Sequence, residues 1–509
     1  MDNTSWMIMP IGEKEVPRGI RESPTKGITR SVVRGGLWVF GLRVLNRTLS
    51  LVRTVVLARL LLPKDFGLLG IALLSISTLE TFSQTGFQTA LIQKKEGVES
   101  YLDTAWTVSF IRGLFLFLIL FSSAPIVANF FNSPDAILVI RVLALSFVLS
   151  GFRNVGIVFF QKELEFRKTF FYEFPSTVAN LFVSIGLALI LKSVWALVWG
   201  TLAAGFISLW MSYMLHPYRP KIRVEKQQVE GLFAFGRWVL ASSILVFLNS
   251  QGDDIFVGKI LGITALGYYQ MAYLLSNLPA TEITHIISRV SFPAYSKLQD
   301  DIAKMGRAYL RVVKITSFIS IPLGGIVFIL APEFTKIFLG EKWIAIVPAL
   351  QVLVIWGVLR SIGATTGPVL YAYGKPDLPA KLQLIQLIIL ATLIYPMSQR
   401  MGIEGTSISV VLAAILPNFV AFHKVIQVTK CRRNDFLREV LLPLSATAVA
   451  VLLVMVIKSS QTSVLTITVF SLLVLSFILG YVALIWIFER FLNYGIWPVV
   501  KDLTQTVMT

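Results

Sequence analysis

Long apolar runs separated by short polar breaks predict most of the chain's architecture. The apolar stretches fall at 37–62, 68–92, 104–131, 136–160, 172–192, 194–215, 238–262, 266–290, 312–335, 344–372, 378–397, 403–426, 439–457 and 463–488. Each is long enough to cross a bilayer as a helix, which takes about 20 apolar residues. The runs lack the period-two alternation of barrel strands and exceed the roughly ten residues such strands use. The pattern predicts an all-α polytopic membrane protein with about 14 transmembrane helices.

Composition agrees. Of 509 residues 55% are hydrophobic and only 15% charged, with a mean hydropathy of +0.74. An ordinary soluble domain carries roughly 25% charged residues. A soluble enzyme, a disulfide scaffold and a nucleic-acid binder are therefore excluded as main readings. The single Cys431 forms no internal disulfide, and three histidines leave little for a metal cluster. The first 34 residues are polar and mixed in charge and contain no apolar run, so they read as a cytoplasmic tail rather than a signal or transit peptide.

The +18 net charge changes meaning once the bases are placed. Counting loops and adjoining span ends, 30 of the 46 Lys and Arg fall on the side shared by the two termini and 7 on the other. That asymmetry puts both termini in the cytoplasm. The basic surplus is thus topological, and no nucleic-acid partner is expected.

The largest polar connection, 217–237, follows six spans and reads as a cytoplasmic linker. It divides the chain into a 1–34 tail, a lobe over 35–216, a lobe over 238–428, two further spans within 429–490 and a 491–509 tail. A repeat crosses it at an offset of 200 residues. Ala58-Arg59-Leu60-Leu61 aligns with Gly258-Lys259-Ile260-Leu261, and Asp65-Phe66-Gly67-Leu68 with Ala265-Leu266-Gly267-Tyr268. Six spans per half make such repeats parallel, related by an axis along the membrane normal, and transporters so built bind substrate between the halves.

Ionisable residues within spans cost about 2.5–3.5 kcal/mol each on insertion scales, so each requires a reason. Span 1 carries Arg43, Arg47 and Arg53. With Arg43 at zero and 100° per residue, Arg47 falls at about 40°, Arg53 at about 280°, Asn46 at about 300°, Ser50 at about 340° and Thr54 at about 20°. This polar arc must face protein or a wet cavity. The plain reading pairs the arginines with acids that glue helices together. The sharper one makes them a cationic wall for an anionic substrate, since the bases outnumber nearby acids. Arg59, at the outer end, is expected to reach the interface.

Other spans carry further candidates. In span 2, Glu80 is a counter-ion for span 1 or an ion-coupling carboxylate. Asp253 and Asp254 in span 7 point about 100° apart, so one is expected to line the cavity and the other to pair with Lys259 or a neighbouring helix. Glu282, His285 and Arg289 in span 8 are spaced for a local ion-pair cluster, with ion coupling as the alternative for Glu282. Arg360 is the deepest base of the second half and joins Arg43, Arg47, Arg53 and Asn46 as a substrate-binding candidate. Spans 13 and 14 hold no charge within their cores and suit contact with lipid. The absence of a Walker A sequence and of any long outer loop argues against a fused ATPase or a membrane glycosyltransferase, and no cofactor is expected.

These segments also carry a resemblance. Val56-Leu57-Ala58-Arg59-Leu60-Leu61-Leu62-Pro63-Lys64-Asp65-Phe66-Gly67 resembles the first-lobe signature of bacterial polysaccharide transporters. So do Ala105-Trp106 through Arg112-Gly113-Leu114 and Gly151-Phe152-Arg153-Asn154 through Glu165-Phe166. Gly236-Arg237-Trp238 through Asp253-Asp254, with Leu266-Gly267-Tyr268-Tyr269, is similar to the second-lobe signature. The chain thus resembles O-antigen and exopolysaccharide flippases, colanic-acid-exporter-like members included, of the multidrug/oligosaccharidyl-lipid/polysaccharide exporter superfamily. The resemblance implies two helical lobes alternating in the bacterial inner membrane around a polyprenyl-pyrophosphate-linked oligosaccharide. It implies a role in O-antigen, capsule or exopolysaccharide synthesis, with polysaccharide polymerase and chain-length machinery as possible partners. Arg43, Arg47 and Arg53 would correspond to the family's cavity cations, and Glu80, Asp253 or Asp254 to its coupling acids. The extra spans resemble a pair in lipid II flippases that accommodates the polyprenyl tail. A multidrug exporter of the same fold is the rival reading, against which the arginine face argues.

Overall fold

The computed structural model describes residues 25–83, 99–163, 165–277, 295–296, 298–375, 377–460 and 466–498. The described residues are almost entirely helical. In the first half the helices are α1 (Thr25–Leu60), α2 (Pro63–Phe82), α3 (Leu102–Phe130), α4 (Ala136–Gly151), a short α5 (Val158–Lys162), α6 (Phe166–Leu191) and α7 (Trp195–Leu215). The second half holds α8 (Lys226–Ile260), α9 (263–277), α10 (Ile302–Phe334), α11 (Val347–Gly363), a short α12 (Thr366–Ala372) and α13 (Asp377–Thr429). Two more follow, α14 (Arg433–Ser460) and α15 (Ile467–Leu492).

Among the described residues nine helices are long and apolar enough to cross a membrane, so the chain is a multi-pass membrane protein. Two helices of full spanning length, α1 with 36 residues and α8 with 35, are absent from that set. Both open their half of the chain, and both carry charged residues within the helix: Arg43, Arg47 and Arg53 in the sequence of one, Asp253 and Asp254 in the other. α13, at 53 residues, is two spans: Gly402 adopts φ 59°, ψ −137°, which breaks the helix where the sequence predicts a loop. The chain folds back there, with Ser409 Oγ donating to Leu393 O at 3.2 Å and the Ser398 and Thr406 hydroxyls 2.7 Å apart.

Local chemistry sets the helix starts. At Leu62-Pro63-Lys64-Asp65 the proline takes the first helical position, where no amide proton is needed. One Asp65 oxygen accepts from Leu62 N at 2.9 Å and the other from Val194 N at 3.0 Å, fixing α2 to the start of α7. Lys64 pairs with Asp135 before α4 at 2.7 Å. α4 ends at Gly151, short of the predicted 160, and the chain runs through a turn into α5.

The end of the molecule that carries residues 216–225 is termed the linker end and the opposite one the far end. The linker does not hang free. Asn154 Nδ2 donates to Tyr218 O at 2.7 Å, Lys221 N to Asp103 Oδ1 at 3.0 Å and Arg223 N to Thr107 Oγ1 at 3.1 Å. Tyr218 OH donates to Asp103; burial, and then that carboxylate, push its phenol pKa up, so it remains a donor. α8 begins at Lys226, so the strap is shorter than the predicted 217–237.

α14 and α15 pack on the outer side of α10, where Gly325 leaves room for Thr447 and Phe477. Two ion pairs hold the ends of that seam: Lys314–Glu439 at 3.2 Å and Lys458–Glu333 at 2.6 Å. These pairs are largely buried, and losing one partner of such a pair costs about 3–5 kcal/mol.

Candidate functional site

α1 leans on α6 rather than on α2, which packs against α4 and α8. Between α1, α6 and α7 lies a cavity of about 180 Å³, lined by Leu49, Ser50, Arg53, Ser176, Thr177, Asn180 and Ala204. Arg53 is the only charged residue in its described lining. Its guanidinium makes no hydrogen bond or ion pair with any described residue, and Nε is fully buried. Asn180 Oδ1 and Asn46 Oδ1 are likewise buried without a partner. An unpaired cation in such a place is costly unless something arrives to meet it. Arg47 lies on the same helix, six residues nearer the linker end and partly buried. The side chain of Arg43 lies outside the described ones.

A second cavity, of about 350 Å³, sits inside the same half near the linker end. α2 contributes Glu80, α3 Ser109 and Arg112, α4 Phe147 and Ser150, and α6 Thr169, Tyr172 and Glu173, while Arg153, Asn154 and Phe160 close it below α4. Arg112 is committed to the end of α2: Nε donates to Ser83 O at 2.9 Å and a terminal nitrogen to Glu80 O at 3.2 Å. That satisfies carbonyls the helix end leaves open. Glu80 therefore has Arg112 and Arg153 as its nearest described counter-charges rather than the arginines of α1. The Arg153 side chain makes no hydrogen bond to described residues, and its Nε is buried.

The α6 wall is what charge counting along the sequence overlooks. Thr169, Glu173, Ser176, Thr177 and Asn180 follow the three-and-four spacing of one helix face. That face lines both cavities. The signal is present in the sequence, yet with one charge it is weaker than the arginines of α1.

In the second half, Asp253 and Asp254 are buried, at 2% and 7% exposure. Both turn to α9: Tyr269 OH donates to Asp253 Oδ2 at 2.6 Å and Gln270 Nε2 lies 3.4 Å from Asp254 Oδ2. The other oxygen of each is buried without a partner. Neither pairs with Lys259, whose ammonium sits 5.0 Å over the Phe130 ring. Arg360, at the end of α11, lies 3.4 Å from Asn277 Oδ1 and stacks over Trp356. It is not part of either cavity's described lining. Glu282, with His285 and Arg289, lies outside the described residues.

The two halves meet at the far end. α2 and α9 cross there at their first turns through Gly67 and Gly267, which the 200-residue offset relates. A Cβ added at Gly67 would lie 2.0 Å from Ile263 O, and one at Gly267 would lie 2.0 Å from Pro63 O. Residues 63 and 263 are themselves related by the offset, so the contact is reciprocal. Beside it, the exposed Arg59 caps the opposing half. Its Nε donates to Phe338 O at 2.9 Å and a terminal nitrogen to Ile337 O, capping the helix end of the second half. In return Lys342 Nζ donates to Arg59 O at 3.0 Å, and the buried Trp343 Nε1 to Ala58 O at 2.9 Å. Each half satisfies helix-terminal carbonyls of the other.

Comparison with known proteins agrees with this architecture. The chain is 27% identical to the lipopolysaccharide biosynthesis protein WzxC of Escherichia coli (strain K12), over 79% of this chain and 82% of that one. It is 30% identical to the teichuronic acid biosynthesis protein TuaB of Bacillus subtilis (strain 168), over 58% of this chain and 61% of that one. Among solved structures, the lipid II flippase MurJ in an inward closed conformation superposes with a TM-score of 0.72 at 15% identity, covering 89% of this chain and 99% of MurJ. A multidrug resistance MATE family transporter in an inward-facing conformation reaches 0.58 at 18%, over 76% of this chain and 96% of that one. These two show a shared fold. The sequence model of a family described as polysaccharide biosynthesis protein matches residues 56–348, more than half of the chain, and the chain belongs to that family.

Proposed function

We propose that the protein is a flippase that moves a polyprenyl-pyrophosphate-linked oligosaccharide across the bacterial inner membrane, with both termini in the cytoplasm. The observation that carries this reading is Arg53, a cation without a described partner in a cavity holding no other charge. A pyrophosphate supplies what that guanidinium lacks: several acceptor oxygens and a compensating charge. Arg47 and Arg43 extend the same face toward the linker end, where substrate made in the cytoplasm enters, and Asn46 adds a neutral polar contact. Arg360 would meet the substrate from the second half. The polyprenyl tail stays in the bilayer.

The far-end contacts then form the periplasmic gate. Passage requires that Gly67 and Gly267 separate and that Arg59, Lys342 and Trp343 release the helix ends they cap. Substrate drives this only if it binds the two states unequally. Asp253 and Asp254, each with a free buried oxygen, are the proposed coupling pair, because a cation bound there bears on α8 and α9, the helices that meet α2 across the gate. Glu80, already compensated by two arginines, and Glu282 are the secondary candidates. Polymerase and chain-length proteins are proposed as downstream partners. A multidrug exporter shares the fold, but its cationic substrates would be repelled by the face of α1.

The test is purified protein in liposomes with labelled polyprenyl-pyrophosphate oligosaccharide, scoring sugar that becomes accessible on the opposite side. Wild type is expected to translocate it, and Arg47→Ala and Arg53→Ala to insert normally and fail. Absence of transport by wild type under proton and sodium gradients alike would overturn the reading.

A further inference from the structure

The two cavities of the first half differ in charge, and the difference assigns them different ligands. The described lining of the smaller holds Arg53 and no acid, so it suits an anion. In the larger, Glu80 and Glu173 balance Arg112 and Arg153, so it has no net pull on a phosphate. It offers acceptors and donors side by side, with Phe147 as an apolar wall. That mixture suits a neutral ligand rich in hydroxyls, each of which both donates and accepts. At about 350 Å³ the cavity lies within the usual range for small-molecule sites, about 300–1,000 Å³.

One α6 face lines both. Asn180 lines the smaller cavity and Glu173 the larger, seven residues and about 10 Å apart along one helix face. A ligand whose anion rests against Arg53 would therefore carry its next groups along α6 into the larger cavity. Arg153 waits there with a buried nitrogen unpartnered. We infer that the larger cavity is a glycan subsite, which holds the sugars adjoining the pyrophosphate while the arginine cavity holds the pyrophosphate itself. This rests on the flippase reading and adds to it where the sugars next to the pyrophosphate are recognised: against the α6 face, inside the first half.

The single Cys431 makes the test direct. In a Cys431→Ser background, Ser150→Cys reports on the larger cavity and Ser50→Cys on the smaller, each read as its rate of alkylation in proteoliposomes. Three probes are compared: inorganic pyrophosphate, sugar-free polyprenyl pyrophosphate, and the lipid-linked oligosaccharide pool extracted from the source cell's membranes. The subsite predicts that all three slow alkylation at position 50, whereas only the oligosaccharide pool slows it at position 150, by about fivefold or more. Equal protection at 150 by sugar-free lipid would overturn the assignment, as would protection at 50 alone by all three. A position 150 that never reacts would overturn it too, because no sugar could then enter. Failure of every probe at position 50 would instead count against the flippase reading, and the subsite would fall with it.

Discussion

The two halves keep one scaffold and differ in what they place inside it. The 200-residue offset that relates Gly67 to Gly267 also relates Arg53 to Asp253 and Arg59 to Lys259. Where backbone meets backbone, the repeats agree, since only glycine lets α2 and α9 cross so closely. Where a side chain faces the interior, they diverge: a guanidinium without a described partner in α1, a carboxylate held by Tyr269 in α8. On the proposed reading, closure is a property of the symmetric frame, and ligand choice a property of what each half hangs on it.

The largest effect should follow from erasing the polar difference itself. Arg53→Ala, or Arg53→Asp to copy the second half, is expected to lower transport about a hundredfold, the cost of leaving a buried charge partner unmet. Membrane insertion should be unchanged, and the liposome assay reads both. Activity within a few-fold of wild type would mean that the α1 charge is structural. Next is the shared frame. Gly67→Ala and Gly267→Ala each drive a Cβ onto a carbonyl of the opposing backbone, where no rotamer change relieves it. Overpacking of this kind costs about 1–3 kcal/mol, which should open the far end about tenfold more often. Ala58→Cys, buried under Trp343 in a Cys431→Ser background, reports that opening by its alkylation rate. Because the crossing is reciprocal, the two variants should match; unequal rates would break the symmetry argument.

How far the sequence carries depends on the range of the interaction. The helical character of the chain and the break at Gly402 are legible because hydropathy and helical period are local. The Gly67–Gly267 pair is legible as a repeat, though its meaning as a crossing is not. The α6 face of Thr169, Glu173, Ser176 and Asn180 is written at plain helical spacing, but a search led by formal charge passes over hydroxyls and amides. Arg59 is the opposite case. Its partners lie 277 to 279 residues away, and only the docking of the halves shows that it caps a helix end. The same holds for Asp253 and Asp254, whose partners come from α9 and not from the nearby Lys259.

A smaller effect sharpens the contrast from the acidic side. Asp253→Asn keeps an acceptor for Tyr269 and removes the charge. Transport driven by an imposed ion gradient should drop about tenfold, to the rate seen without a gradient, while protection of Ser50→Cys by substrate stays within about twofold. If substrate protection is lost as well, Asp253 belongs to the binding site and the division of labour between the halves fails.

The smallest difference tests whether the frame is symmetric to its rim. Arg59 donates to at least two carbonyls of the opposing half, whereas Lys259, its equivalent, meets the opposing half through the Phe130 ring. A charged hydrogen bond contributes about 1.5–3 kcal/mol when sheltered and less when exposed, as Arg59 is. An exposed cation–π contact contributes about 0.5–1 kcal/mol. Arg59→Ala should therefore speed alkylation of Ala58→Cys about fivefold, and Lys259→Ala less than about threefold. The order matters more than either value. If the lysine variant opens the far end as much as the arginine variant, the caps contribute nothing beyond bulk, and the gate rests on the glycine crossing alone. If only the arginine variant opens it, the first half holds the gate as well as the anion, and substrate bound beside Arg53 has a direct route to the contact that must release, because both arginines stand on α1.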